Sequence, residues 1–300
     1  MPQKAIFQEL LLKIEGKLHI LIDKSEENPH NTLCALWQTA AGNRVSAISS
    51  ANYELPFLAS IQHNLLDELI DNRLSGVPLA HITERQHFLG MDYILNKGHY
   101  IPRKDTELLA ETTISLLSEN YANKENVTVL DLCSGIGTVA LAIANYCKNT
   151  KVYGSDIYQP AIVAAEINAK HFGLEEAVKF VKSDMFDQFE LPDWKGNADV
   201  IVCAPPYIST SKVKQMPREI SEHEPSEAFD AGPFGLSIFN QLIAKSPEYL
   251  RNNGYLIFEC GAGQGEFLAK RLNSNDHYGE ITEIRDERGD IRVLKAQKLN

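Results

Sequence analysis

The chain has 300 residues, 44% hydrophobic and 23% charged, which excludes a disordered or low-complexity protein and leaves room for two domains. Its net charge of −11 lacks the basic footprint of a general nucleic-acid binder, and no apolar run reaches the ~18 residues of a membrane helix. Five cysteines, at 34, 133, 147, 203 and 260, form no C-x-x-C pair and join no histidine cluster, so neither a disulfide framework nor a metal site is expected. Such scattered thiols point to a reducing, cytoplasmic compartment.

Residues 1–14 mix a glutamate and lysines with apolar positions and predict an amphipathic helix rather than an export signal. Apolar residues recur at three- and four-residue spacing over 5–22, 33–41 and 57–70, with turn-rich breaks at 25–31, 41–43 and 75–78. A small helical bundle over 1–84 is expected. Residues 86–101 read as strands around glycine-containing turns, which predicts a β-hairpin linker over 85–103. From 104 to 300 strands alternate with helices. Strands are expected at 127–132, 151–155, 178–182, 198–203 and 254–260, and helices at 138–146 and 161–171. That alternation implies right-handed crossovers and a mostly parallel, doubly wound α/β sheet. Residues 280–298 read as a closing antiparallel hairpin at its edge.

Four strand ends carry the chemistry. The run Leu130-Asp131-Leu132-Cys133-Ser134-Gly135-Ile136-Gly137 leads an apolar strand through two glycines into a helix. Glycines there permit a tight turn and close approach of a ligand to the backbone. Ala140 stands where a dinucleotide fingerprint has its third glycine, so the loop alone does not separate a dinucleotide from another nucleoside cofactor. The next strand ends in Asp156-Ile157, placing a carboxylate where it can accept both hydroxyls of a ribose. A third ends in Asp184-Met185, which suit an adenine amino group and ring. The fourth runs into Cys203-Ala204-Pro205-Pro206-Tyr207, two prolines that stiffen a loop and an aromatic face for a planar substrate.

Taken together, these motifs resemble the glutamine N5-methyltransferases of peptide release factors, the PrmC/HemK family. The likeness extends over Leu74-Ser75-Gly76-Val77-Pro78-Leu79-Ala80-His81-Ile82, over Tyr100-Ile101-Pro102-Arg103-Lys104-Asp105-Thr106-Glu107, over Glu224-Pro225 with Ala228-Phe229-Asp230-Ala231-Gly232, and over Leu256-Ile257-Phe258-Glu259-Cys260-Gly261 with Gly263-Gln264-Gly265. It implies a Rossmann-like methyltransferase domain, S-adenosylmethionine as cofactor, and methyl transfer to nitrogen. It further implies a cofactor site drawn from Thr106, Glu107, Asp131, Cys133, Gly135, Gly137, Asp156, Ile157, Asp184, Met185 and Cys203. Ala204, Pro205, Pro206 and Tyr207 would shape the catalytic pocket, and Glu224 and Asp230 would meet the substrate. The helical part would dock a protein partner.

One departure bears on the substrate. In that family an asparagine side chain and a loop carbonyl accept the two hydrogens of the target amide. Here the asparagine position is Ala204, and Ser226, Ala231 and Phe234 depart from the family pattern nearby. Three readings stay open: a pocket retuned to another, amino-acid-like nitrogen substrate; a release-factor methyltransferase into which an Asn-to-Ala change has been introduced; and a catalytically silent cofactor-binding module. The cluster of departures favours the first. The carboxylates Glu219, Glu222, Glu224 and Asp230 after the loop suggest that such a substrate would be cationic. A nucleic-acid substrate and a membrane partner are not expected.

Overall fold

In a computed structural model that describes residues 2–190 and 192–300, the chain forms two compact units. One contains Met1–Lys104 together with Met216–Glu224; the other contains Asp105–Gln215 and Pro225–Asn300.

The first unit is built on helices Pro2–Glu15, Pro29–Ala40 and Ser60–Leu74. Pro29 occupies the first helical turn, where no amide hydrogen is needed, and the Asn28 side chain accepts from the Asn31 amide to cap it. Phe7, Ile14, Leu33, Leu36, Trp37, Leu66 and Ile70 pack between the helices as a core. The first helix is shorter than the 5–22 periodicity predicts. It stops at Glu15, before Gly16, and the amides of Lys17 and Leu18 both turn back onto the Ile14 carbonyl. Strands β1 (Arg85–Phe88) and β2 (Met91–Ile94) pair antiparallel through Leu89-Gly90, both at positive φ (45° and 74°), the backbone a tight hairpin turn requires. Pairing ends at Ile94, and 95–103 is irregular rather than strand.

Segment Met216–Glu224 is held in this unit by buried ion pairs. Glu219 lies 3.3 Å from Lys24 and 3.1 Å from Arg73, and Arg73 also meets Glu27 at 3.0 Å. Glu224 accepts from Arg103 at 2.6 Å and from the Ile101 amide at 2.8 Å. These side chains are nearly inaccessible to water. The acidic run after the loop is therefore not a free carboxylate surface. Glu219 and Glu224 are already neutralised by partners within the unit, and Glu222 pairs with Arg218 at the surface.

The second unit is a seven-stranded sheet in the order β5-β4-β3-β6-β7-β9-β8. Its strands are β3 (Val127–Leu132), β4 (Thr150–Asp156), β5 (Val178–Lys182), β6 (Ala198–Cys203), β7 (Leu250–Glu259), β8 (Tyr278–Arg285) and β9 (Ile291–Lys298). The first five are parallel, as continuous apolar strands alternating with helices predict. β9 pairs antiparallel with β7, and β8 closes the edge. β6 is buried along its whole length because both faces are covered. Among the described residues no helix is long and apolar enough to cross a membrane.

Candidate active site

The chain leaves β3 toward β4 and β5 on one side of the sheet and later returns to β6 and β7 on the other. The connections part between β3 and β6, and that switch point opens a crevice at the carboxyl ends of the strands. The loops 133–137 and 204–207 flank it, with Asp156 at the end of β4.

The 133–137 loop is tied to β4. The Ser134 amide donates to the Ser155 carbonyl, and the Gly135 amide donates to Asp156 Oδ2, both at 2.9 Å. Asp156 Oδ1 accepts from the Tyr158 amide at 2.8 Å. Burial raises the Asp156 pKa, and these amides oppose the shift by favouring its charged form. Its carboxylate therefore holds two loops and keeps lone pairs for further donors. The two glycines have different reasons to be glycine. Gly135 sits at φ 55° with open space where a Cβ would project, whereas a Cβ on Gly137 would come within 2.7 Å of the Phe180 ring. Gly135 leaves open space beside the backbone, whereas Gly137 has a packing reason to be glycine between helix and sheet.

Asp131 lies beneath the loop, 1% exposed. Its Oδ2 accepts from the Ala140 amide at 3.1 Å, while Oδ1 has no partner. Burial raises its pKa to about 7. A buried oxygen without a donor is costly, and it suits a bound group that brings a hydrogen-bond donor. Cys133 Sγ stands 3.8 Å from Met185 Sδ, and Met185 is buried at φ 48°. Cys203 lies fully buried beside Cys133, its thiol pKa pushed well up by burial. Asp184 and Ile157 are exposed at the ends of β5 and β4. Among the described residues no group of histidines, cysteines and carboxylates is arranged to hold a metal ion.

Ala204 is half-buried and Pro205 buried. Beyond them Ile208 forms a parallel bridge to Asp230. Asp230 Oδ1 accepts from Thr210 Oγ1 at 2.7 Å and from the Gly232 amide at 2.9 Å, so this carboxylate pins the chain that follows the loop. Glu224, the other residue expected to meet substrate, belongs to the first unit, where it is buried and accepts from Arg103 at 2.6 Å and from the Ile101 amide at 2.8 Å. Ser226 and Phe234 are exposed, Phe234 at 84%, so neither is packed into a pocket with Ala204.

Sequence reasoning missed the support of Tyr207. Its carbonyl accepts from Gln264 Nε2 at 3.0 Å, and a Cβ on Gly261 would meet its ring at 2.9 Å. Its hydroxyl lies 3.4 Å from Arg292 Nη2 and also bonds the Glu259 carboxylate. Arg292 further meets Glu259 at 3.3 Å, Asp105 at 2.7 Å and the Cys260 carbonyl at 3.0 Å. Glu259 also takes a bond from Thr106, and its pKa is raised by burial. A readable signal existed: Arg292 is the one charge between Ile291 and Val293-Leu294 in an apolar strand, and Glu259 ends another.

Comparison with known proteins follows the same line. Residues 109–222 match the family model "Methyltransferase small domain". The release factor glutamine methyltransferase of Clostridium acetobutylicum is 30% identical over 85% of this chain and 86% of its own length. That of Rhodopirellula baltica is 34% identical over 77% of each chain. The solved structure of a release factor-specific protein-(glutamine-N5) methyltransferase from Alicyclobacillus acidocaldarius aligns over 67% of this chain and 95% of that chain, at 22% identity and a TM-score of 0.41. A retuned, cationic amino-acid substrate finds no support in these relatives or in the neutralised carboxylates.

Proposed function

The chain belongs to the release factor glutamine methyltransferase family, a group of S-adenosylmethionine-dependent enzymes, and from that premise we propose that it methylates the side-chain nitrogen of a glutamine in a peptide release factor. The observation that carries this reading is the Pro-Pro-Tyr loop leaving β6 directly across the switch point from the 133–137 loop.

Asp156 would accept the ribose hydroxyls, and the open backbone at Gly135 would lie against the cofactor's methionine part. Asp131, Cys133, Met185, Cys203, Ile157, Asp184, Thr106 and Glu107 would complete the cofactor site. The unpartnered Asp131 oxygen and the space at Gly135 fit such a group. When bound, S-adenosylmethionine supplies an electrophilic methyl on a sulfonium centre. The 204–207 loop would orient the amide nitrogen for in-line attack and exclude water. A backbone carbonyl of the loop would accept an N–H of the amide; as the N–C bond formed, the methyl–sulfur bond would break to leave a neutral thioether, and the proton lost from nitrogen would pass to solvent. The helical unit would dock the factor. Tyr53, Phe57 and Ile61, all more than half exposed there, offer apolar surface for it. A cytoplasmic location is consistent with this partner.

The test is incubation of the purified chain with a release factor and labelled cofactor, followed by peptide mass analysis. One methyl group on a glutamine of the factor is expected; label confined to free amino acids would refute the reading. Cofactor binding supplies a second check. Asp156→Ala removes charge-assisted acceptors that contribute ~1.5–3 kcal/mol, so the cofactor Kd should rise by about tenfold or more in calorimetry. An unchanged Kd would remove Asp156 from the site.

A further inference from the structure

We propose that Arg292 is a positioning residue for methyl transfer, acting through the Tyr207 hydroxyl; this rests on the function proposed above. Arg292 is 7% exposed and uses its whole guanidinium fork. Nε donates to the Cys260 carbonyl, Nη1 to Asp105, and Nη2 to Glu259 and to the Tyr207 hydroxyl. The residue after Asp105 is Thr106, which bonds the same Glu259 carboxylate. One side chain on β9 thus joins three segments at the crevice: the 105–107 run, the carboxyl end of β7, and the loop after β6.

The geometry constrains Tyr207 at three points. Gln264 holds its carbonyl, the bare backbone of Gly261 lies against its ring, and the Arg292–Glu259 pair fixes its hydroxyl. A Tyr ring held only at its backbone end can swing about its side-chain torsions. Anchoring the hydroxyl removes that freedom and sets the wall against which a planar amide would stack. A planar fork satisfies these partners simultaneously, whereas the ammonium of lysine is a point charge that cannot reproduce the directions. The burial of Glu259 at 3% exposure adds a constraint, because its charge has to be matched by Arg292 for the cluster to persist.

Misplacing a reacting group by about 1 Å can cost ~100-fold in rate. The experiment compares wild type, Arg292→Lys, Tyr207→Phe and the double variant in release-factor methylation, with cofactor Kd and urea midpoints measured alongside. Each single variant should lose ~10- to 100-fold in kcat, with KM for the factor and Kd for the cofactor within about twofold of wild type. The double variant should be no slower than the slower single variant, since both changes break one linkage. Losses that multiply in the double variant, or that fall on KM, Kd or the urea midpoint instead of kcat, would overturn the proposal. Tyr207→Phe removes only a hydroxyl and guards against a misfolded Arg292→Lys protein; if it turns over as fast as wild type, the proposal fails. Failure of wild type itself to label the factor would defeat the parent function as well, and that outcome is distinguishable from all the others.

Discussion

Replacing Ala204 with asparagine is expected to raise turnover on a release-factor glutamine by ~100- to 1,000-fold, the size of effect seen when one fixed polar stabiliser is added to or removed from a reacting centre. An amide nitrogen is a weak nucleophile because its lone pair is delocalised into the carbonyl. Two acceptors on its hydrogens favour the pyramidal form that attacks the methyl. Ala204 contributes only backbone to that task. Gln264, the side-chain amide bonded to this loop, does not fill the gap: its Nε2 donates to the Tyr207 and Gly235 carbonyls and its Oε1 accepts from the Gly261 amide. Ser226 and Phe234 are exposed rather than packed with position 204, so the substitution has no co-adapted pocket to disturb. Single-turnover labelling of the factor by wild type and Ala204→Asn is the measurement. Equal rates would mean that the second acceptor comes from elsewhere in the pocket.

Loss of the Arg73 guanidinium is expected to destabilise the helical unit by ~3–5 kcal/mol at neutral pH, because it strands buried carboxylates rather than merely deleting a contact. In Arg73→Met, Glu27 and Glu219 would keep only Lys24 as a cation, and all of these side chains are nearly inaccessible to water. Lys195→Met, which breaks a half-exposed pair with Glu248, should cost no more than ~1 kcal/mol. The deficit should also depend on pH. Burial already raises the Glu27 pKa, and removing Arg73 raises it further. A carboxyl whose folded pKa lies above its unfolded value contributes stability when protonated and loses it as pH rises through the folded value. Urea midpoints for Arg73→Met should therefore fall closer to wild type at pH 5 than at pH 8. A deficit of ~1 kcal/mol or less, or one that grows toward acid, would contradict the role assigned to this cluster.

Local pattern made the sheet legible. The apolar runs at 127–132 and 198–203 became strands with those bounds because both of their faces are covered, whereas 178–182, at the sheet edge with Lys179 and Lys182 exposed, was marked by its β-branched and aromatic residues rather than by burial. The strand end on which Asp156 or Ala204 stands was readable in the same way, since strand–turn–helix order fixes it. The 5–22 periodicity overshot its helix because apolar spacing continues past Gly16 while the backbone does not.

Only the tertiary structure decided which charges are spent. Glu219 reads in sequence as one of the carboxylates that would face a cationic substrate, yet its partners Lys24 and Arg73 lie 195 and 146 residues away. No local rule predicts such a pairing, because it depends on segment 216–224 joining the first unit. Arg292 and Tyr207 are 85 residues apart, and they meet because β9 inserts antiparallel beside β7 instead of following it in order. The packing reason for glycine at 137 was also invisible in the sequence, because the Phe180 ring that occupies the place of its missing Cβ comes from another strand. Residue type and spacing specify what a side chain can do, but water access and partner geometry determine whether it remains available, and those arise only when distant strands and helices pack.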